Sequence, residues 1–498
     1  MIRRPRLAAT LCAVGVFVTG CTGTDSAPPS SVGGSSASVT SSASSLASVA
    51  QTVPSLTPVT DAGLVTGPGV DDASLSLGLV VDAERDQGFS TGVRLWARAF
   101  NGAGGVCGRT VELITASSAQ SGADAYRYLA ASSLGLITLP ALDDQADLDA
   151  KIAADQLPAV APEGTLSDLE TTGGPIVLGA TADILAINTA AHWIADGTLA
   201  PGSAVGVYLD LSDGDLDATD AVTSLQWWAT RAQVELVVIR PGEQIPTAVG
   251  AIYAPGSAGG VEELVTRVAA GRGLASAVPT GLATTTPTAP SGTGGVPTSG
   301  SGGVGSAGSS TAPSTTTPSS TAPSSTTPVT RGPSGAGPRP IAAGGPIAIA
   351  TDVDGVRDVL RSPTSVGAVT VASVTPAFTA VHPIGSALAQ AFASAGLSPG
   401  LRSFEGYAVG EAWGRVLGPM CAARTLTRSA ATTQWTDLAP AAADSIIGPT
   451  QPSNQLTATL PNSRVSALSV VDPTQDTGVR PLTLLESASD IGAYRATG

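Results

Sequence analysis

The chain has 498 residues, of which 42% are hydrophobic and only 4% aromatic, and its formal net charge is −15. That length suffices for two ordinary domains, with cores built largely from Ala, Val and Leu. Lys151 is the only lysine, and the acidic balance excludes a nucleic-acid partner, which needs basic patches.

The N-terminus reads as a targeting segment. Arg3, Arg4 and Arg6 form a positive region, and Leu7 to Phe17 is an apolar run too short to span a bilayer stably. Val18-Thr19-Gly20-Cys21 looks like a bacterial lipobox. It predicts a lipoprotein signal over residues 1–21, with Cys21 diacylated as the new N-terminus; the other reading is an ordinary secretory signal with an incidental cysteine. A lipidated protein is extracytoplasmic and held to the bacterial cell membrane through Cys21. Residues 22–72 are rich in Ser, Thr, Gly and Pro, which predicts a flexible, disordered tether with a coil dimension of roughly 40 Å.

The next stretch has clear periodicity. Leu75, Leu77, Leu79 and Val81 alternate as a strand does. Val93, Trp96, Ala97 and Phe100 then recur at helical spacing, with Arg94 and Arg98 on the other face. Asn101 and Gly104-Gly105 stop that helix, and a second strand-like run follows from Thr110 to Ile114. Strand, helix, glycine turn and strand make a βαβ unit, hence a parallel sheet.

This unit resembles the first βαβ of the type I periplasmic binding proteins, in the leucine/isoleucine/valine- and amide-binding branch of ABC importer substrate-binding lipoproteins. In that family a glycine opens the first helix, an asparagine ends it, and a Gly-Gly-x-x-Gly-Arg turn leads into the second strand. Gly92, Asn101, Gly104, Gly105, Gly108 and Arg109 stand at those positions here. The resemblance implies an α/β fold with two doubly wound parallel-sheet lobes joined by a three-crossover hinge.

Downstream, helices are predicted over 121–131 and 146–155, with strands at 135–139 and 158–161. A second set follows: helices 184–196, 218–232 and 261–270, and strands 204–209, 235–239, 251–254 and 347–350. Residues 280–345 interrupt it. They are rich in Thr, Pro, Ser and Gly, bury almost no core, and are expected to be a disordered insert within lobe 2 whose composition suits O-glycosylation. The insert contains a formal GxGxxG from Gly303 to Gly308, but no strand precedes it and no helix follows, so it is not a nucleotide site. Phe404-Glu405-Gly406-Tyr407-Ala408 opens a helix that runs to about Met420, and Leu426-Thr427-Arg428 starts another; both are similar to motifs of the family. Ile446-Ile447-Gly448-Pro449 resembles the family's late return to the second lobe, and 457–460 and 467–471 look like closing strands. The resemblance covers residues 75–278 and 346–495. It implies lobe 1 at 73–180 plus 376–449 and lobe 2 at 181–375 plus 450–498, with passages near 181, 375 and 450.

Setting aside Cys12 and Cys21 leaves Cys107 and Cys421. In an oxidising compartment a lone pair suggests one disulfide; two buried free thiols are the other reading. The resemblance places both cysteines in lobe 1.

In such folds ligands lie beyond the carboxyl ends of parallel strands, so the loops there supply the candidate site. Asp82 opens the first loop, which is shorter than in amino-acid-binding relatives and reads equally as a solvated charged loop. Asp143 and Asp144 replace a serine-rich loop that holds the ligand carboxylate in the family, and would repel such a group; Asp144 also suits a helix cap. Glu163 and Thr165 fall in the family's Ser-Pro-x-x-Thr region, where Thr165 keeps the hydroxyl. Asp213 stands where an aromatic is common. It belongs to an acidic run of Asp210, Asp215, Asp217 and Asp220 whose spacing is not an EF-hand loop, and which reads equally as a solvated, helix-capping loop. Ser257 follows another strand end, and Asp352 and Asp354 fall where amino-acid binders place an acid for the ligand ammonium, Asp354 being the better match.

Gly88-Phe89-Ser90-Thr91-Gly92 is a formal GxSxG, and His192 and His382 are the only histidines. A nucleophile elbow turns directly off its strand, whereas Ser90 lies about nine residues past Val81. No enzyme activity, cofactor or metal is expected, since no Cys/His cluster supports zinc. The resemblance implies a monomer that captures a small polar molecule in an interlobe cleft and passes it to an ABC permease. The alternative is a binding-fold lipoprotein acting as a sensor or envelope-interaction protein without transport. The acidic loops favour a cationic or polyol-like solute over an anion.

Overall fold

A computed structural model of the chain describes residues 63–81, 87–117, 122–139, 145–165, 169, 174–210, 216–255, 258–275, 346–351, 366–376, 385–400, 402–438, 446, 463–475, 477–484 and 486–494. Among these, the strands form two large sheets and one small pair.

The first sheet has the order β3-β2-β4-β5-β6 and is parallel throughout. Its strands are β2 (Ser74–Val81), β3 (Thr110–Ser117), β4 (Gly135–Thr138), β5 (Ala159–Ala161) and β6 (Ile176–Val177). Helices α1 (Gln87–Gly102), α2 (Gly122–Ala130) and α3 (Gln145–Asp155) connect them. β2 is covered on both faces, as a central parallel strand must be: Leu75, Leu77 and Leu79 join the core beneath α1, while Val80 joins Leu129, Leu136 and Ile152 beneath α2 and α3.

Helix α1 begins at Gln87, five residues before Gly92. Gly92 therefore does not open the helix; it serves a crossing. Helix α8 (Ser403–Ala422) packs on α1 so closely that a methyl group on Gly92 would overlap the Ser403 carbonyl, and one on Gly406 would overlap the Phe89 carbonyl. Trp96 fills the space over Gly410. At the far end of α1, Asn101 behaves like a strand partner: its Nδ2 donates to the Val111 carbonyl (2.9 Å) and its Oδ1 accepts from the Val111 N–H (2.7 Å). The turn between them needs left-handed backbone at Gly104, Gly105, Cys107 and Gly108. Buried Arg109 then donates from Nε to the Asp71 carbonyl (2.5 Å). Cys107 and Cys421 are disulfide-bonded, with Cα atoms 5.5 Å apart, which ties this turn to the end of α8.

That anchoring corrects the expected tether at its end. Residues 63–72 are packed, not free. β1 (Val65–Thr66) pairs in parallel with β12 (Thr425–Leu426), Asp71 caps the entry to β2 by accepting from the Ala73 and Ser74 N–H groups, and Leu64 and Val70 pack on the first core. Thr427 caps helix α9 (Arg428–Thr436), accepting from the Ala430 N–H (3.2 Å), and Arg428 donates to the carbonyls of Ala130 and Ser133. The Leu-Thr-Arg motif is thus a buried anchor, a cap and a tie to the approach of β4.

The second sheet has the order β14-β13-β11-β10-β9-β7-β8. β7 (Ala204–Tyr208), β8 (Leu236–Ile239), β9 (Val249–Tyr253), β10 (Ala348–Thr351) and β11 (Val369–Ser373) are parallel; β13 (Ala467–Val471) and β14 (Val479–Pro481) add on antiparallel. Helices α4 (Ala182–Ala195), α5 (Leu216–Ala232) and α6 (Ala258–Gly271) cover it. Strands β1, β6, β11, β12 and β14 were not expected from the sequence, and Leu426, expected to start a helix, lies in β12 with the helix beginning at Arg428; the predicted strand 457–460 lies outside the described residues. The chain changes core between Leu178 and Ala180, and again between Val374 and Leu388, which follows the start of α7 (Gly385–Ser394). Ile446 still belongs to the first core and Ala467 to the second sheet.

Candidate functional site

Parallel strands of the two sheets end at Val81, Ser117, Thr138, Ala161, Val177, Tyr208, Ile239, Tyr253, Thr351 and Ser373. The backbone amides and loops beyond such ends are where an open α/β sheet presents ligand-binding groups. Asp82, Asp143, Asp144, Asp213, Ser257 and Asp354 all follow these ends in sequence, and all lie outside the described residues, as does Cys21.

Glu163 and Thr165 are described. They leave β5 in the segment Pro162-Glu163-Gly164-Thr165, where both are half-buried. This segment is held firmly: the Gly179 N–H donates to the Pro162 carbonyl (2.7 Å), the Ala182 N–H donates to the Gly164 carbonyl (3.2 Å), and Gly164 bridges Thr181 in parallel. Glu163 is not a free acid. Its carboxylate accepts from Nη2 of Arg402, whose Nε donates to buried Glu405. Burial pushes the Glu405 carboxyl up to about 7, with Arg402 opposing the rise and Glu163 adding to it. Sequence reading missed Arg402 and Glu405. Their spacing of three ahead of an apolar helix was visible, but the partner Glu163 is 239 residues away from Arg402.

On the second sheet, Tyr208 ends β7 fully buried: its hydroxyl donates to Glu263 (2.9 Å) on α6, and the Arg267 guanidinium stands 5.4 Å from its ring centre. Burial first, then the Glu263 carboxylate, push that hydroxyl above its ordinary range. Asp183 opens α4 in the core; burial raises its carboxyl even though Thr181 donates to it. Asn188 on the same helix accepts from the Ala488 N–H (2.8 Å) and donates to the Arg464 carbonyl (3.1 Å), binding the returning C-terminal segment.

Ser90 lies inside α1 and is buried, which removes the exposed elbow that a GxSxG nucleophile requires. His192 lies on the second unit's α4, near Asp196 (3.5 Å) and Glu486 (3.8 Å). Among the described residues, no group of three or more His, Cys, Asp and Glu is placed to hold a metal ion, and no helix is long and apolar enough to cross a membrane.

No family model and no curated protein matches the sequence. Solved structures do. A fatty acid ABC transporter substrate-binding protein from Thermomonospora curvata superposes with a TM-score of 0.63 at 16% identity, over 87% of this chain and 97% of that one. The fold is that of the type I periplasmic binding proteins. A leucine-binding protein from Thermotoga maritima matches with a TM-score of 0.52 at 11% identity, over 83% of this chain and 99% of that one. An R. palustris solute-binding protein in complex with benzoate matches with a TM-score of 0.50 at 12% identity, over 84% and 99%. At such identities the likeness carries the fold. The hydrogen bonds above hold the Pro162–Thr165 segment beside the passage at 178–182, and the Val374 side chain lies against Gly179 of that passage.

Proposed function

We propose that this protein is a lipid-anchored, extracytoplasmic solute-binding protein that captures a small molecule between two lobes and delivers it to an ABC importer. The lobes are 73–180 plus 376–449 and 181–375 plus 450–498, with the insert 280–345 in the second; Cys21 carries the lipid and residues 22–62 the tether. The observation that carries this reading is the pair of sheets, one wholly and one mainly parallel, whose strand ends lead into acidic and hydroxyl-bearing loops, with passages between their cores at 178–180 and after Val374. Such an arrangement binds by hinge closure and does no covalent chemistry.

Asp82, Asp143, Asp144, Asp213, Ser257 and Asp354 are the candidate ligand contacts, together with Thr165 and its hydroxyl. Glu163 contributes less free charge than its sequence suggests, because Arg402 neutralises it. The solved proteins of this fold are titled for fatty acid, leucine and benzoate, so apolar acids belong in the ligand panel beside polyamines, amides, sugars and nucleosides. A thermal-shift screen of the mature protein tests the proposal: ligand binding to the folded state raises the melting temperature. One class giving a saturable shift supports a solute receptor. A folded protein that no class shifts supports the second reading, a sensor or envelope-interaction protein, which Asp143-Asp144 in place of a serine-rich loop also favours.

A further inference from the structure

One ionisable cluster belongs to the hinge and not to the ligand loops. Arg402 directly precedes α8 in a left-handed conformation (φ 69°), buried between two carboxylates. Nη2 donates to Glu163 and Nε to Glu405. Glu405 is buried, and the Thr375 hydroxyl also donates to it. Each acid bears on a passage between the sheets. Glu163 adjoins Gly164, which is paired with Thr181; Thr375 is itself on the second passage, and the Val374 side chain packs against Gly179 of the first. The charged groups acting on Glu405 are Arg402, which favours its ionised form, and Glu163, which opposes it. One guanidinium thus serves two acids.

We propose that Glu405, Arg402 and Glu163 form a proton-operated latch on the hinge: with Glu405 neutral, Arg402 belongs to Glu163 and clamps the β5 loop to α8, and with Glu405 ionised, Arg402 is drawn inward, the loop is released and the angle between the lobes changes. Burial sets the Glu405 transition at about 7, within the range an extracytoplasmic surface meets. The inference rests on the two-lobe reading above. That reading is tested with ligands at one pH and the latch without ligand across pH, so either can fail alone.

The test is an interlobe distance. Tyr128 on α2 and Ile194 on α4 are exposed and are replaced by labelled cysteines in the full chain carrying Cys12→Ser and Cys21→Ser. Pulsed dipolar spectroscopy from about pH 5.5 to about pH 8.5 then follows the lobes. The wild-type distribution is expected to shift through one single-proton transition near neutrality. In Glu405→Gln it should stay at the low-pH distribution throughout. In Glu163→Gln the clamp loses its outer carboxylate, so the distribution should lie at the high-pH form at every pH. A wild-type distribution that ignores pH, or a transition that survives in Glu405→Gln, overturns the latch. Should Glu405→Gln fail to fold, Glu163→Gln decides: a distribution that still shifts with pH as the wild type does overturns it.

Discussion

The core of the first sheet holds Phe89, Trp96, Phe100, Phe392, Phe404, Tyr407, Trp413 and Trp435, whereas the cores of the second are mostly Ala, Val, Ile and Leu around Tyr208, Tyr253, Tyr494, Trp193 and Trp228. A chain with 4% aromatics has concentrated them where α1 and α8 cross. Trp96 stacks at 5.3 Å from Phe100, and Trp413 meets Trp435 edge-on at 5.2 Å. The same lobe carries the disulfide and the glycine crossing. The second lobe relies on a broad sheet with small, branched side chains facing its helices. Lobe 1 is thus held by a few irreplaceable contacts and lobe 2 by many ordinary ones.

The largest expected effect follows from the crossing. Gly406→Val puts a branched side chain where the Phe89 carbonyl already lies. It should cost more than about 4 kcal/mol, seen as loss of the cooperative transition in tryptophan fluorescence; a near-native melt would refute the close crossing. Cys421→Ser comes next. It should lower stability by roughly 2–5 kcal/mol, with lobe 1 melting first and lobe 2 little changed by hydrogen exchange.

Stability should also depend on pH through Glu405. A buried carboxyl raised from 4.5 to about 7 contributes stability that is full below the unfolded value and lost as pH rises to the folded one. Wild-type stability should therefore fall by on the order of 3 kcal/mol across that window from this group, and Glu405→Gln should flatten the profile in denaturant melts. The smallest effect is in lobe 2: Gly259 on α6 has open space around it, so Gly259→Ala should stabilise by a few tenths to about 1 kcal/mol. A loss there would contradict the contrast between the lobes.

The βαβ start was legible because period-two and period-3.6 patterns alternate cleanly around a glycine turn. Other features were legible but misassigned. Gly406, Gly410 and Gly414 recur every four residues, which marks one face of a helix. They meet Phe89, Trp96 and Phe100 in turn, so Gly92 is their counterpart and not a helix start. β1 could not be read, since Val65 and Thr66 form a strand only when Thr425 and Leu426 supply the edge. β6 has only two residues and takes its strand form from its neighbour in the sheet. At the candidate site, strand ends predicted which loops matter, but the state of Glu163 depends on Arg402, a partner no local pattern names.

Hinge closure is read from the same Tyr128–Ile194 label distance at fixed pH, taken with and without the compound that gives the largest thermal shift. Two lobes closing over a solute predict a shorter, narrower distribution at saturation. Saturable binding that leaves the distance unchanged would contradict capture by hinge closure.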